Sequence, residues 1–217
     1  PSGTLTVIDS TIAGNHSTYY GGGICNGVFA SGTATIRNSI VASNTAVSAG
    51  PDVVGPFLSG GYNLIGNTNT STGFGATGDQ LNVNPLLGPL AEYGGPTLTM
   101  ALRAGSPAID KGNSFGSLVD QRVFARTLDD PGIPNAPGGD GTDIGAFEVD
   151  PNFRIVDLHR VGSDVALSMM TVLGKNYRAE YTNDLASGTW TIFTNNVPGN
   201  GWLLWVTNTA GANQPRR

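Results

Sequence analysis

Short runs of apolar and β-branched residues, each closed by Gly or Asn, fill the first third of the chain, and they repeat. Thr4-Leu5-Thr6-Val7-Ile8-Asp9-Ser10-Thr11-Ile12-Ala13-Gly14-Asn15 aligns with Thr33-Ala34-Thr35-Ile36-Arg37-Asn38-Ser39-Ile40-Val41-Ala42-Ser43-Asn44 at an offset of 29 residues. Tyr62-Asn63-Leu64-Ile65-Gly66-Asn67 is a weaker third copy. A repeat of this kind predicts a β-solenoid, in which each pass of chain lends short parallel strands to stacked sheets. Val7 is then expected inward against Ile36, and Ile12 against Val41. Asn15 and Asn44 are expected at turns in the left-handed conformation, each amide bonded to its equivalent one pass away. Gly21-Gly22-Gly23 predicts a sharp turn, with Ile24 starting the next strand and Cys25 a small buried residue.

The pattern then changes twice. From Leu81 to Glu148, Leu86, Leu87, Leu90, Leu98, Met100, Leu102 and Ile109 are interspersed with Pro85, Pro89, Pro96 and Pro107. That content suits a cap that covers the end of the solenoid and blocks further strand addition. The Gly- and Pro-rich stretch from Asp129 to Gly141 reads as a loop, and Ile144, Ala146 and Phe147 as a short final strand. After Asp150-Pro151 the period becomes two, and five strands are expected at 154–158, 165–169, 177–181, 190–193 and 202–206. Tyr177, Ala179 and Tyr181 alternate with Arg178 and Glu180, as in a half-buried antiparallel strand. The chain is therefore read as residues 1–150, repeats plus cap, and 151–217, a small antiparallel β module.

Composition narrows the class. With 32 Gly, 13 Pro and only 12% charged residues, the chain is all-β in character, not a helical bundle. Its 39% hydrophobic content and net charge of −5 argue against disorder. A pI near 4.8 argues against nucleic acid as a partner. No apolar run is long enough to span a bilayer. One Cys excludes an intrachain disulfide. The chain opens Pro1-Ser2-Gly3 without Met, so its natural N-terminus is expected upstream.

Charged residues gather in the cap: Asp110, Asp120, Arg122, Arg126, Asp140, Asp143 and Glu148. Arg122 is expected to be structural, binding a carboxylate through its two-pronged guanidinium and pinning the long loop, with Glu148 or Asp143 as first candidates. Asp129, Asp130, Asp140 and Asp143 are weak candidates for calcium, which takes six to eight oxygens; no other cofactor is expected. No catalytic residue is assigned. The repeats offer only Asp9, Asp52 and Arg37, and His16 reads as a solvated turn residue. Trp190 is expected in the core. Trp202 and Trp205, three apart on one strand, cannot share a face, so one of them is a candidate glycan-stacking residue.

The repeat, with Asp9-Ser10-Thr11-Ile12-Ala13-Gly14-Asn15 and Gly21-Gly22-Gly23-Ile24, resembles right-handed parallel β-helix proteins of the pectin-lyase-like type. Asn84-Pro85-Leu86-Leu87-Gly88-Pro89-Leu90, Gly94-Gly95-Pro96-Thr97, Gly105-Ser106-Pro107-Ala108-Ile109-Asp110, Asp120-Gln121-Arg122 and Asp143-Ile144-Gly145-Ala146-Phe147-Glu148 resemble the C-terminal region of bacterial choice-of-anchor Q surface proteins. Val123 and Ala125 stand where that family usually has Gly and Pro. The tail, with Gly174-Lys175-Asn176-Tyr177-Arg178-Ala179-Glu180-Tyr181 before Gly188-Thr189-Trp190, is similar to small C-terminal β-sandwich modules of exported proteins. A further aromatic strand tends to follow there, so the module is expected to be truncated. The resemblance implies a secreted or cell-surface protein without catalysis, used for adhesion, glycan binding or surface display. Its expected partner is an extracellular polysaccharide or a cell-surface component. The alternative is a polysaccharide lyase or glycoside hydrolase whose active site lies on coils outside this sequence.

Overall fold

A computed structural model describes residues 3–27, 32–172, 174–182, 186–201 and 203–209. The described residues form parallel and antiparallel β-sheets and contain no helix. They divide into two compact units at Val149/Asp150.

The first unit opens with three passes of chain. The first contributes β1 (Thr4–Ile8), β2 (Thr11–Ile12), β3 (His16–Ser17) and β4 (Ile24–Cys25). The second contributes β5 (Thr33–Arg37), β6 (Ile40–Val41), β7 (Thr45–Ala46) and β8 (Val53–Pro56), and the third β9 (Leu58–Ser59), β10 (Leu64–Ile65) and β11 (Thr70–Thr72). Every pairing among them is parallel, in the sheets β1-β5-β9, β2-β6-β10, β3-β7 and β4-β8-β11, and β12 (Gln80–Leu81) adds to β10. Successive passes shorten: polar partners lie 29 residues apart between the first and second, 24 between the second and third, then 16.

The expected stacking is present: Val7 pairs with Ile36 and Ile12 with Val41. Ile36, Val41, Val53 and Ile65 are fully buried together with Val7, Ile24, Ala34 and Phe57, and Ile12 packs against them half-buried. Each Val, Ile or Phe side chain among them contributes about 1.5–3 kcal/mol when fully buried. Two polar columns run alongside. Asn15 donates its backbone and side-chain N–H groups to Asn44 Oδ1, and Asn44 does the same to Asp52 Oδ1, all at 2.9–3.0 Å. Ser10, Ser39 and Asn63 each donate a backbone N–H to the side chain one pass on, ending at Asp79. The amide ladder is as expected, but the left-handed residues are not Asn15 and Asn44. They are Gly14 and Ser43, one residue earlier, and Asp9, Asn38 and Tyr62 at another corner. The asparagines serve as bonded rungs while their predecessors make the bend.

Gly22 and Gly23 are there for proximity. A Cβ on either would lie 2.2 Å from the Thr45 oxygen or 2.5 Å from the Asp52 oxygen of the next pass. Cys25 is exposed, against expectation, because the two-residue strand turns Ile24 inward and the next side chain outward.

Residues 82–149 do not close the end of the stack as expected; they lie along its flank. β6 and β10 each bury both residues, Val41 and Ile65 inward and Ile40 and Leu64 outward. A Cβ on Gly145 would sit 2.9 Å from Ile40 Cδ1, the Gly145 N–H donates to Asn38 O, and the Ala146 N–H donates to Thr11 Oγ1. Gln80 donates its side-chain amide to Pro107 O. The flanking cover contains one antiparallel pair, β13 (Leu87–Ala91) and β14 (Thr99–Leu102). Leu102 and Ile109 are buried, but Leu86, Leu90 and Leu98 are exposed. Ile144, Ala146 and Phe147 are buried without forming a strand.

In the second unit, β15 (Arg154–Val161), β16 (Asp164–Met170) and β19 (Leu203–Asn208) form one antiparallel sheet, in the order β15-β16-β19. β17 (Asn176–Tyr181) pairs with β18 (Thr191–Pro198) in another. All five expected strands are present. Trp190 is 53% exposed and not in a core.

Candidate functional site

The cover is held by charged side chains in a shell with little regular structure. Asp120 and Arg122 sit on a tight reversal bridged by Val119 and Ala125. Asp120 Oδ1 accepts the backbone N–H of Arg122 and of Phe124, which fixes the turn. Its Oδ2 accepts Arg122 Nε at 2.8 Å and lies 2.7 Å from Arg122 Nη2, with both side chains buried. Arg122 also donates to the carbonyl oxygens of Glu148 and Tyr93. Its guanidinium carbon lies 3.6 Å from the Phe147 ring centre and 4.8 Å from that of Phe124. The carboxylate that holds Arg122 is therefore Asp120, not Glu148 or Asp143; Glu148 contributes its main chain. Burial lowers the Arg122 pKa, and the Asp120 charge opposes that. Gly95 lies against this pair: at φ +83°, a Cβ there would be 2.5 Å from Arg122 Cα. That contact accounts for a glycine at position 95.

Three further acids knit the remainder of the shell. Glu148 accepts the N–H groups of Leu128 and Asp143 on its two oxygens. Asp143 accepts those of Asp110 and Val149. Asp110 faces the Asp130 N–H. Burial raises all three. Asp110 reaches about 6, aided by the charges of Asp129 and Asp130, and Glu148 reaches about 7. Asp143 is pushed well above the usual carboxylate range, the Glu148 charge adding to burial. Arg126, also buried, donates to the carbonyls of Val119, Asp143 and Gly145.

The four calcium candidates do not assemble. Asp140 accepts from Ser114 and Thr142; burial acts to raise its pKa, but these hydrogen bonds outweigh it and leave it lowered. Asp130 accepts the Gly132 N–H, and Asp143 is enclosed as described. Among the described residues no three His, Cys, Asp or Glu side chains converge as a metal site. The two acids among the repeat-borne candidates are likewise engaged. Asp52 ends the Asn column, and burial raises its pKa against the hydrogen bonds from Asn44. Asp9 accepts from Asn38. Arg37 lies under the Phe115 ring at 4.7 Å. His16 is exposed and bonds Thr45 Oγ1. A groove of about 630 Å³ runs between the first pass and the cover, with Asp9, Ser10, Thr11, Gln121 and Arg126 on its walls.

In the second unit Trp205 is 55% exposed, and Trp202 lies outside the described residues. The Trp205 ring meets His159 edge-on, with centres 5.7 Å apart, and His159 Nδ1 is 2.7 Å from Asp157 Oδ2. The sequence reading passed over His159 and Asp157. Their signal was the two-residue spacing that puts both on one face of β15.

Set against known proteins, the chain matches no family model, no curated protein and no solved structure.

Proposed function

We propose that the protein is a non-catalytic, exported or cell-surface protein, with a right-handed parallel β-helix of the pectin-lyase-like type flanked by a choice-of-anchor Q-like cover. Its role on this reading is adhesion, glycan binding or surface display. One observation carries the non-catalytic reading: the buried charges of the cover spend their hydrogen bonds on one another and on the protein's own backbone. Arg122 and Asp120 hold each other, Glu148 and Asp143 hold loop amides, and Arg126 holds carbonyls. General acid–base work needs a carboxyl or base free to reach a substrate proton, and these groups are already engaged. The parallel passes with their Asn and Ser columns support the β-helix, and the motifs of the cover support the family resemblance.

The test is incubation of the full chain with polygalacturonate and related acidic glycans, together with protease shaving of intact cells of its host. The expected results are no release of reducing ends or unsaturated products, and cleavage by external protease. Turnover that disappears in Arg37→Ala or Asp52→Ala overturns the non-catalytic reading. Full protection inside intact cells overturns the surface assignment.

A further inference from the structure

The sheet β15-β16-β19 carries a surface of distinct chemistry. Antiparallel register sets Asp157, Ser168 and Trp205 side by side on one face, with His159, Ala166 and Thr207 in the next row. His159 and Trp205 are separated by a whole strand, yet their rings touch. They lean together because the intervening strand presents only Ala166 and Ser168, both buried beneath them. The indole is thereby held by an imidazole at its side while more than half of it remains open to water. Asp157 and His159 form a hydrogen-bonded polar rim, 53% and 41% exposed. Below them the Ser168 hydroxyl is buried and has no hydrogen-bond partner among the described residues.

Each feature is unfavourable or idle in water alone. An exposed indole leaves a large apolar face wet, and a buried hydroxyl without a partner forfeits its hydrogen bond. A ligand with one C–H face covers the exposed indole, and a periphery of hydroxyls meets the exposed Asp157 and His159; the enclosed Ser168 hydroxyl takes no part. We propose that this face binds a neutral glycan, with a pyranose ring stacked on Trp205 and its hydroxyls bonded by Asp157 and His159. The inference rests on the reading of the protein as a glycan-facing surface protein and gives it a site. Charge selects neutral over acidic sugars: the rim presents the Asp157 carboxylate, which disfavours a uronate against this face. Rings with equatorial hydroxyls, as in β-linked glucans and xylans, offer the flattest C–H face to an indole. Because the rings are already in contact, little side-chain freedom is lost on binding.

The experiment titrates the full chain with cellohexaose, xylohexaose and hexagalacturonate, followed by calorimetry and tryptophan fluorescence. The expected result is saturable binding of a neutral hexasaccharide and none of hexagalacturonate. Trp205→Ala is expected to weaken binding about tenfold or more, and Asp157→Asn or His159→Ala about threefold. Trp190→Ala is the control and leaves affinity unchanged. Circular dichroism melts verify folding; should Trp205→Ala not fold, Trp205→Phe and Asp157→Asn decide the matter. No saturable binding of either neutral sugar overturns the proposal. So do binding that survives Trp205→Ala, tighter binding of hexagalacturonate, and a dimer that Trp205→Ala dissociates. Binding that survives these changes removes this site and leaves the surface reading standing. Cleavage of a glycan removes the non-catalytic reading and leaves this site standing.

Discussion

Arg122 shows how one residue can fix a region with almost no regular structure. It is the largest of the fully buried side chains described, and its charge sits between two phenyl rings and one carboxylate. Burying a guanidinium is expensive, so the burial is tolerable only because Asp120 and the Glu148 and Tyr93 carbonyls satisfy it in a fixed geometry. Removing it strands Asp120, which also holds the turn from Arg122 to Phe124. Arg122→Ala is accordingly expected to destabilise the first unit by about 3–5 kcal/mol, and Arg122→Lys by on the order of 2 kcal/mol, since an ammonium cannot reproduce the fork. Urea unfolding measures both. A loss under about 1 kcal/mol for the alanine variant would mean that the pair is energetically idle.

At the scale of the element, strands of two residues cannot hold themselves, and the polar columns do much of the joining. Asn44 ties the first two passes together: it accepts from Asn15, donates to Ile12 O and, within its own pass, donates to Asp52. Asn44→Ala removes the acceptor shared by the Asn15 backbone and side-chain N–H groups and one of the donors to the buried Asp52, which keeps the Asn44 backbone N–H, with an expected cost of about 2 kcal/mol. The exposed neighbour Thr45→Ala is the control and should change stability by under about 0.5 kcal/mol. Equal losses for the two would refute a special role for the column. These stacked pairs were legible in the sequence because a period-two strand and a 29-residue offset together force Val7 onto Ile36. The site of the cover was not legible. Ile40 and Val41 read alike as apolar, and only a contact 105 residues away, from Asn38 to Asp143, shows that the outer one is covered too. The Arg122 partner was misread for a related reason. A long loop suggests an anchor across its ends, whereas the carboxylate in reach was two residues away, on the near side of the turn. In the tail, the five strands were readable from alternation, but which apolar face each presents depends on the sheet it joins. Trp190 was misplaced because it stands just before β18 and not on it, so strand alternation does not turn it inward.

At the scale of the first unit, the buried acids give stability a direction with pH. Asp110, Asp143 and Glu148 all have folded-state pKa values raised above their ordinary values of 3.8 and 4.5, Asp110 to about 6 and Glu148 to about 7. A raised acid binds its proton more tightly when folded than when unfolded. Its contribution is complete below the unfolded pKa and is lost as pH rises through the folded one. Between pH 5 and pH 8 the native unit must therefore surrender protons that the unfolded chain has already lost, and stability falls. Asp52, also raised, acts in the same direction. Asp140 is lowered, so its contribution is lost only as pH falls below the ordinary carboxylate range, and it is constant across this window. The expected outcome is a decrease on the order of 1 kcal/mol or more in the unfolding free energy of the first unit from pH 5 to pH 8. Urea titrations of the full chain at several pH values, followed by far-ultraviolet circular dichroism, measure it. Glu148→Gln removes the group that titrates near pH 7, and should flatten the upper half of the slope while lowering stability at pH 5. Stability that is level or rises from pH 5 to pH 8 would mean that these carboxyls are ionised in the fold, with Arg122 and Arg126 neutralising the cluster as a whole.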